Sequence, residues 1–119
     1  MQTSKEKVQD FNSLVEQLRF KEAHNFYSDN IIVVENEDLS TVGLSAKIEK
    51  GKAFAEIFTD ISAKLIDSII SDDMSVTEWH YRFTNKQTGD IMDFSQLSLQ
   101  RWKDGKIIHE RHHYKTDKW

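Results

Sequence analysis

The side chains best suited to do chemistry in this sequence are two carboxylates and an imidazole, Glu35, Glu110 and His112. Glu110 and His112 stand two apart in residues 107–115, a run with β period, so a strand there puts both on one face, with Tyr114 continuing the line. A carboxylate buried against apolar walls has its pKa raised, and an imidazole within reach can trade a proton with it. Such a pair acts as general base or acid with a hydrogen-bonding partner. The competing account is an ordinary ion pair that fills the interior. Trp79, Tyr81, Phe94 and Trp102 are expected to wall the same space, although any single ring among them also serves as plain core packing. Tyr27, Gln96, Ser98 and Tyr114 complete the expected lining.

His109-Glu110-Arg111-His112-His113 also spells H-E-x-x-H, a zinc motif that works only on a helix, where positions four apart share a face. On a strand the outer histidines stand about 13 Å apart, too far to hold one zinc at about 2 Å each. The expectation is no metal and no cofactor. The acidic runs Asp72-Asp73 and Glu35-Asn36-Glu37-Asp38 read as solvated loops and lack calcium-loop spacing.

The elements that must position these groups follow from periodicity. A capping-box pattern at Thr3 and Glu6 opens a helix over 4–19, with Val8, Phe11, Leu14, Val15 and Leu18 as its apolar stripe. A short helix over 20–27 buries Phe20, Ala23, Phe26 and Tyr27, and Ser28-Asp29-Asn30 stops it. A β-branched strand covers 31–35, and a polar loop over 36–50 could cover a pocket mouth. Gly51 opens a third helix with Phe54, Ile57, Phe58 and Ile61 on one side. From Lys64 the period becomes two, with strands over 65–71, 76–84, 91–102 and 107–115 and an Asp-Gly turn at Asp104-Gly105. Helices followed by a meander make an α+β domain spanning 1–119.

Alternation assigns faces. Trp79, Tyr81 and Phe83 should face the helices. Met92, Phe94, Gln96, Ser98, Gln100 and Trp102 share one side of their strand, and Ile108, Glu110, His112 and Tyr114 one side of the last. Such mixed faces predict a wet cavity on the concave side, where a sheet with one dry and one wet face would alternate cleanly. Leu97 and Leu99, on the other side, predict a convex face that meets a partner.

Composition narrows the class. The chain has 119 residues, 38% apolar and 30% charged, which suits one globular domain. There is no cysteine, so disulfide and thiolate chemistry are excluded. A net charge of −4 without a Lys/Arg cluster argues against nucleic acid. The polar N-terminus and short apolar runs argue against a signal peptide or membrane span, and so for a cytoplasmic location.

The order of elements and three phrases carry a resemblance. Residues 26–35, Phe-Tyr-Ser-Asp-Asn-Ile-Ile-Val-Val-Glu, the glycine at 51, and residues 102–108, Trp-Lys-Asp-Gly-Lys-Ile-Ile, resemble the nuclear transport factor 2-like superfamily, in particular its SnoaL-like and ketosteroid-isomerase-like members, over nearly the whole chain. The resemblance implies a cone-shaped, curved, antiparallel or mixed sheet wrapped around N-terminal helices, a pocket inside the cone for a small hydrophobic molecule, and a homodimer through the sheet. It puts Glu35 where isomerase-like members carry a proton-moving carboxylate. It also puts Phe11 at their oxyanion-donating tyrosine and Ser98 near their second, protonated acid, so steroid isomerisation is not expected. Two functions remain expected, a cofactor-free proton-transfer enzyme acting on a hydrophobic carbonyl compound, or a non-catalytic dimeric binding module.

Overall fold

A computed structural model of the chain describes residues 4–36 and 40–115. Helix α1, Ser4–Glu16, buries Val8, Phe11 and Val15 on the expected stripe, and Asn12 beside them. It ends before Leu18, which takes φ 61° and is exposed, against the expectation that it continues the stripe. The Arg19 amide donates to the Leu14 carbonyl and the Leu18 amide to that of Val15, a Schellman closure with leucine where glycine is usual. Thr3 of the expected capping box lies outside the described residues.

Helix α2 is one turn, Phe20–Ala23, followed by a 3-10 turn, His24–Phe26. Phe20 is exposed rather than buried. Strand β1, Tyr27–Glu35, starts at once, so Ser28, Asp29 and Asn30 lie within a strand and do not precede one. A short β2, Thr41–Val42, pairs with it. The expected loop over 36–50 gives way to helix α3, Leu44–Ile57, which follows Gly43 at φ 97° and contains Gly51 in its interior. Phe58 and Ile61 therefore belong to β3, Phe58–Ile70, which starts well before the expected Leu65. Phe54 and Phe58 pack on Phe83 at 4.9 and 4.7 Å between ring centres, which pins the helix-to-strand junction to the sheet.

Strands β4, Met74–Asn85, β5, Ile91–Lys103, and β6, Lys106–Tyr114, form the meander. The six-stranded sheet runs β2-β1-β6-β5-β4-β3, parallel only between β1 and β6. Helix, strand order and curvature make a mixed α+β fold of three helices on an open, curved sheet. Its core includes Val8, Phe11, Ile31, Trp79, Trp102 and Ile107.

One register irregularity decides which side chains of β6 point inward. Arg101 pairs with His109 but Trp102 with Ile107, so Ile108 is a bulged residue. Ile107 is therefore fully buried and Ile108 is 38% exposed, which corrects the expectation that Ile108 shares the inner face. Beyond the bulge the expected phase holds, and Glu110 is 1% exposed. On the convex side Ile69, Val76 and Leu99 stand abreast across three strands, with Ile69 74% and Leu97 50% exposed.

Candidate active site

Three rows of cross-strand partners build the concave face. Ser75, Gln100 and Glu110 form one, Thr77, Ser98, His112 and Glu35 the next, and Trp79, Gln96 and Tyr114 the third. Helices α1 and α2 cover these rows incompletely and leave a cavity of about 150 Å³. Glu35, Glu110, His112, Tyr27, Trp79, Tyr81, Gln96 and Ser98 line it, as expected from the sequence. Phe94, Trp102 and Tyr114 do not. Phe94 is packed among Tyr81, Phe83 and Tyr114, and Trp102 against Phe11 and Phe26.

Glu110 is the centre of the polar network. Its Oε2 accepts hydrogen bonds from the Tyr27 hydroxyl at 2.8 Å and from Gln100 Nε2 at 2.7 Å. Its Oε1 makes ion-pair contacts with His112 Nε2 at 3.0 Å and Lys47 Nζ at 3.4 Å. Lys47 arrives from α3 over the Tyr27 ring, 4.6 Å from its centre. Burial alone would raise the Glu110 pKa, but the charges of Lys47 and His112 and the hydrogen bonds from His112 and Gln100 outweigh it. The carboxyl is held well below its ordinary 4.5, the reverse of the expected raised value. Its anionic form is thereby favoured, which makes it a poor proton acceptor.

The partners of Glu110 are themselves held. Trp102 Nε1 donates to Ser75 Oγ at 3.0 Å, and Ser75 Oγ donates to Gln100 Oε1 at 3.1 Å, which turns the Gln100 amide toward Glu110. Trp102 thus supports the network from outside the cavity. His112 Nδ1 lies 2.8 Å from Ser98 Oγ and 3.1 Å from Gln96 Nε2. Nε2 of the ring thus faces Glu110, and Nδ1 faces Ser98 and Gln96. Glu35, in contrast, lines the cavity half-buried, and its carboxylate makes no hydrogen bond or ion pair among the described residues. Asn36, at its side, accepts from the Tyr114 amide at 2.9 Å, which ties the end of β1 to β6.

Sequence reasoning missed Lys47, His24 and Gln100. Alternation along β5 already placed Gln100 beside Ser98, so it was within reach. Lys47 had no signal, because no residue of the helix that carries it is fully buried and no apolar stripe announces that helix. His24 lines the cavity, and burial and the Lys47 charge lower its pKa against the opposing pull of Glu110. H-E-x-x-H lies in strand β6, and among the described residues no three His, Asp or Glu side chains converge on a metal position. Glu37 and Asp38 lie outside the described residues, and no helix among those described is long and apolar enough to cross a membrane.

These shifts predict the pH dependence of stability. Folded His24 binds its proton less readily than its ordinary 6.5, and folded Glu110 less readily than 4.5, so the unfolded chain binds more protons on the acid side. Stability should fall as pH drops below 6.5, and more steeply below 4.5. Burial and the Glu110 charge hold Tyr27 and Tyr81 above 10.0, so stability should fall again at higher pH. Melting temperatures by circular dichroism across this range are the check, and a level profile from neutral pH to well below 4.5 would contradict the assignment of Glu110.

The family model for the SnoaL-like polyketide cyclase matches residues 6–116. No curated protein matches the chain. Among solved structures, a SnoaL-like protein of Mesorhizobium loti is 24% identical, with 95% of this chain and 100% of that one covered at a TM-score of 0.85. A nuclear transport factor 2-like protein of Burkholderia thailandensis is 16% identical over 97% and 92%, with a TM-score of 0.87. AclR of Streptomyces galilaeus, a proposed hydroxylase, is 12% identical over 96% and 90%, with a TM-score of 0.78. At these identities the likeness is one of fold.

Proposed function

This chain belongs to the SnoaL-like polyketide cyclase family, and we propose that it binds a small hydrophobic carbonyl compound in the concave cavity and moves a proton on it without a cofactor. The observation that carries this reading is the division of labour between two carboxylates. Glu110 is locked by four partners, whereas Glu35 lines the cavity with none among the described residues. Glu35 is the base, taking a proton from the carbon beside the carbonyl. Glu110 fixes His112 and Lys47, and His112 presents its ring to the bound molecule. Isomerisation and aldol-type cyclisation share this first proton transfer, whereas in a hydration the same base takes its proton from the attacking water. Tyr27, Trp79, Tyr81, Gln96 and Ser98 shape the binding space, with Phe94, Trp102 and Tyr114 behind them.

Deuterium exchange at the α-carbon of cyclohexanone in D₂O, followed by proton NMR, tests the reading. Exchange faster than buffer, in proportion to protein concentration, is the expected result. No acceleration with cyclohexanone or other small enolisable ketones would leave the second reading, a non-catalytic binding module.

A specific observation favours an interaction role alongside catalysis. The exposed Ile69 and Leu97, with the half-buried Val76 and Leu99 between them, form an apolar band on the convex face, which suits a second copy of the chain packing sheet to sheet. Sedimentation at high protein concentration tests the homodimer, and a monomer there would remove it. The reading is of a cytoplasmic protein without a nucleic-acid or membrane partner.

A further inference from the structure

We infer that the cavity takes a neutral carbonyl compound about the size of one aromatic ring, whose oxygen accepts a hydrogen bond from the Tyr81 hydroxyl. The inference rests on the proposal that this cavity is the ligand site, and it names the ligand's size, charge and anchoring group.

Size comes first. The cavity, open on one side, holds about 150 Å³, a volume that accommodates a molecule such as benzene. A ligand of three or four fused rings would leave most of its surface outside.

Charge comes second. Two carboxylates, Glu35 and Glu110, face the cavity, and the one lysine there, Lys47, is engaged with Glu110. Burial and the Lys47 charge lower the pKa of His24 against the pull of Glu110, which disfavours a second cation there. A carboxylate ligand would meet two like charges while Lys47 and His112 are both committed to Glu110, so a neutral molecule is preferred.

The hydrogen-bonding inventory leaves two cavity donors without a protein hydrogen-bond partner among the described residues, the Tyr81 hydroxyl and the His24 ring, and the fixed ring of Tyr81 decides between them. The Tyr27 hydroxyl and the Gln100 amide are committed to Glu110, and Ser98 and Gln96 to His112. The Tyr81 hydroxyl makes no protein hydrogen bond among the described residues, although its side chain lines the cavity. The ring is held between Trp79 and Phe94, with centres 5.9 and 6.0 Å away, so the hydroxyl has a fixed direction. Burial and the nearby Glu110 charge hold the phenol protonated, which leaves it a donor throughout the neutral range. The hydroxyl opens on the cavity, so a ligand oxygen can accept from it without displacing a protein hydrogen bond. That oxygen is also where negative charge develops when Glu35 removes the adjacent proton, so one hydrogen bond serves binding and reaction.

The test uses the intact protein, a Tyr81→Phe variant and four probes. Acetophenone has the inferred size and oxygen, cumene the same shape without the oxygen, benzoate adds charge, and anthrone adds two rings. Titration followed by ligand NMR should show acetophenone binding about tenfold more weakly to Tyr81→Phe than to the unaltered protein. Cumene should bind both equally, and benzoate and anthrone should bind more weakly than acetophenone. The acetophenone carbonyl stretch should move to lower frequency in the unaltered complex and not in the variant. Matching melting temperatures are expected, because the substitution breaks no protein hydrogen bond. Equal acetophenone affinity and an identical stretch in both proteins would overturn the role of Tyr81 while leaving the cavity reading in place. Tighter binding of benzoate or anthrone would overturn the inferred charge or size. Failure of all four probes to bind would overturn this inference and the cavity reading together.

Discussion

Replacing Glu110 with alanine is expected to remove about 3–5 kcal/mol of folding stability, the cost of taking one partner from a buried ion pair. The loss comes from what is left behind. The Tyr27 hydroxyl and the Gln100 amide lose their acceptor, and Lys47 and His112 are left facing a void. A domain of this size has about 5–15 kcal/mol in total, so the variant should lie near the edge of folding at room temperature. Glu110→Gln keeps the volume and one acceptor oxygen, so it should lose distinctly less. Urea denaturation of both variants gives the comparison. If alanine costs no more than about 1 kcal/mol, the network is not a unit and the structural centre of the site lies elsewhere. The acid limb of the stability profile provides a second reading, because without Glu110 the loss below pH 4.5 should become shallower.

The residues involved explain how far the sequence discloses this arrangement. Period-two alternation placed Glu110 and His112 on one face because no irregularity interrupts β6 beyond His109. The same rule failed one residue earlier, at Ile108, because a bulge opposite Trp102 leaves no mark in residue type. Leu18 escaped for a related reason, since a left-handed closure is usually announced by glycine and here is made by leucine. Helix α3 was misplaced because none of its residues is fully buried, so it has little apolar stripe to reveal its start. That error concealed Lys47, and with it the direction of the Glu110 pKa. Burial can be guessed from a sequence, whereas a lysine reaching from a helix 63 positions away depends on the assembled fold.

Glu35→Gln is expected to lower the rate of ketone α-proton exchange about 10²–10⁴-fold, the usual contribution of a positioned general base. The substitution retains the shape of the side chain and removes only its capacity to accept the proton. Because the Glu35 carboxylate makes no hydrogen bond or ion pair among the described residues, stability should be nearly unchanged, and acetophenone affinity should be too. The contrast with Glu110→Gln carries the argument. Glu110 is bound by four partners and should show its effect mainly in unfolding, while Glu35 should show its effect in turnover and hardly in unfolding. Measuring exchange rate and urea midpoint on both variants therefore separates the two carboxylates. If Glu35→Gln exchanges at the unaltered rate while Glu110→Gln is folded and inactive, the base is Glu110 or His112 acting through it. The free carboxylate at the end of β1 would then be a solvated end of a strand.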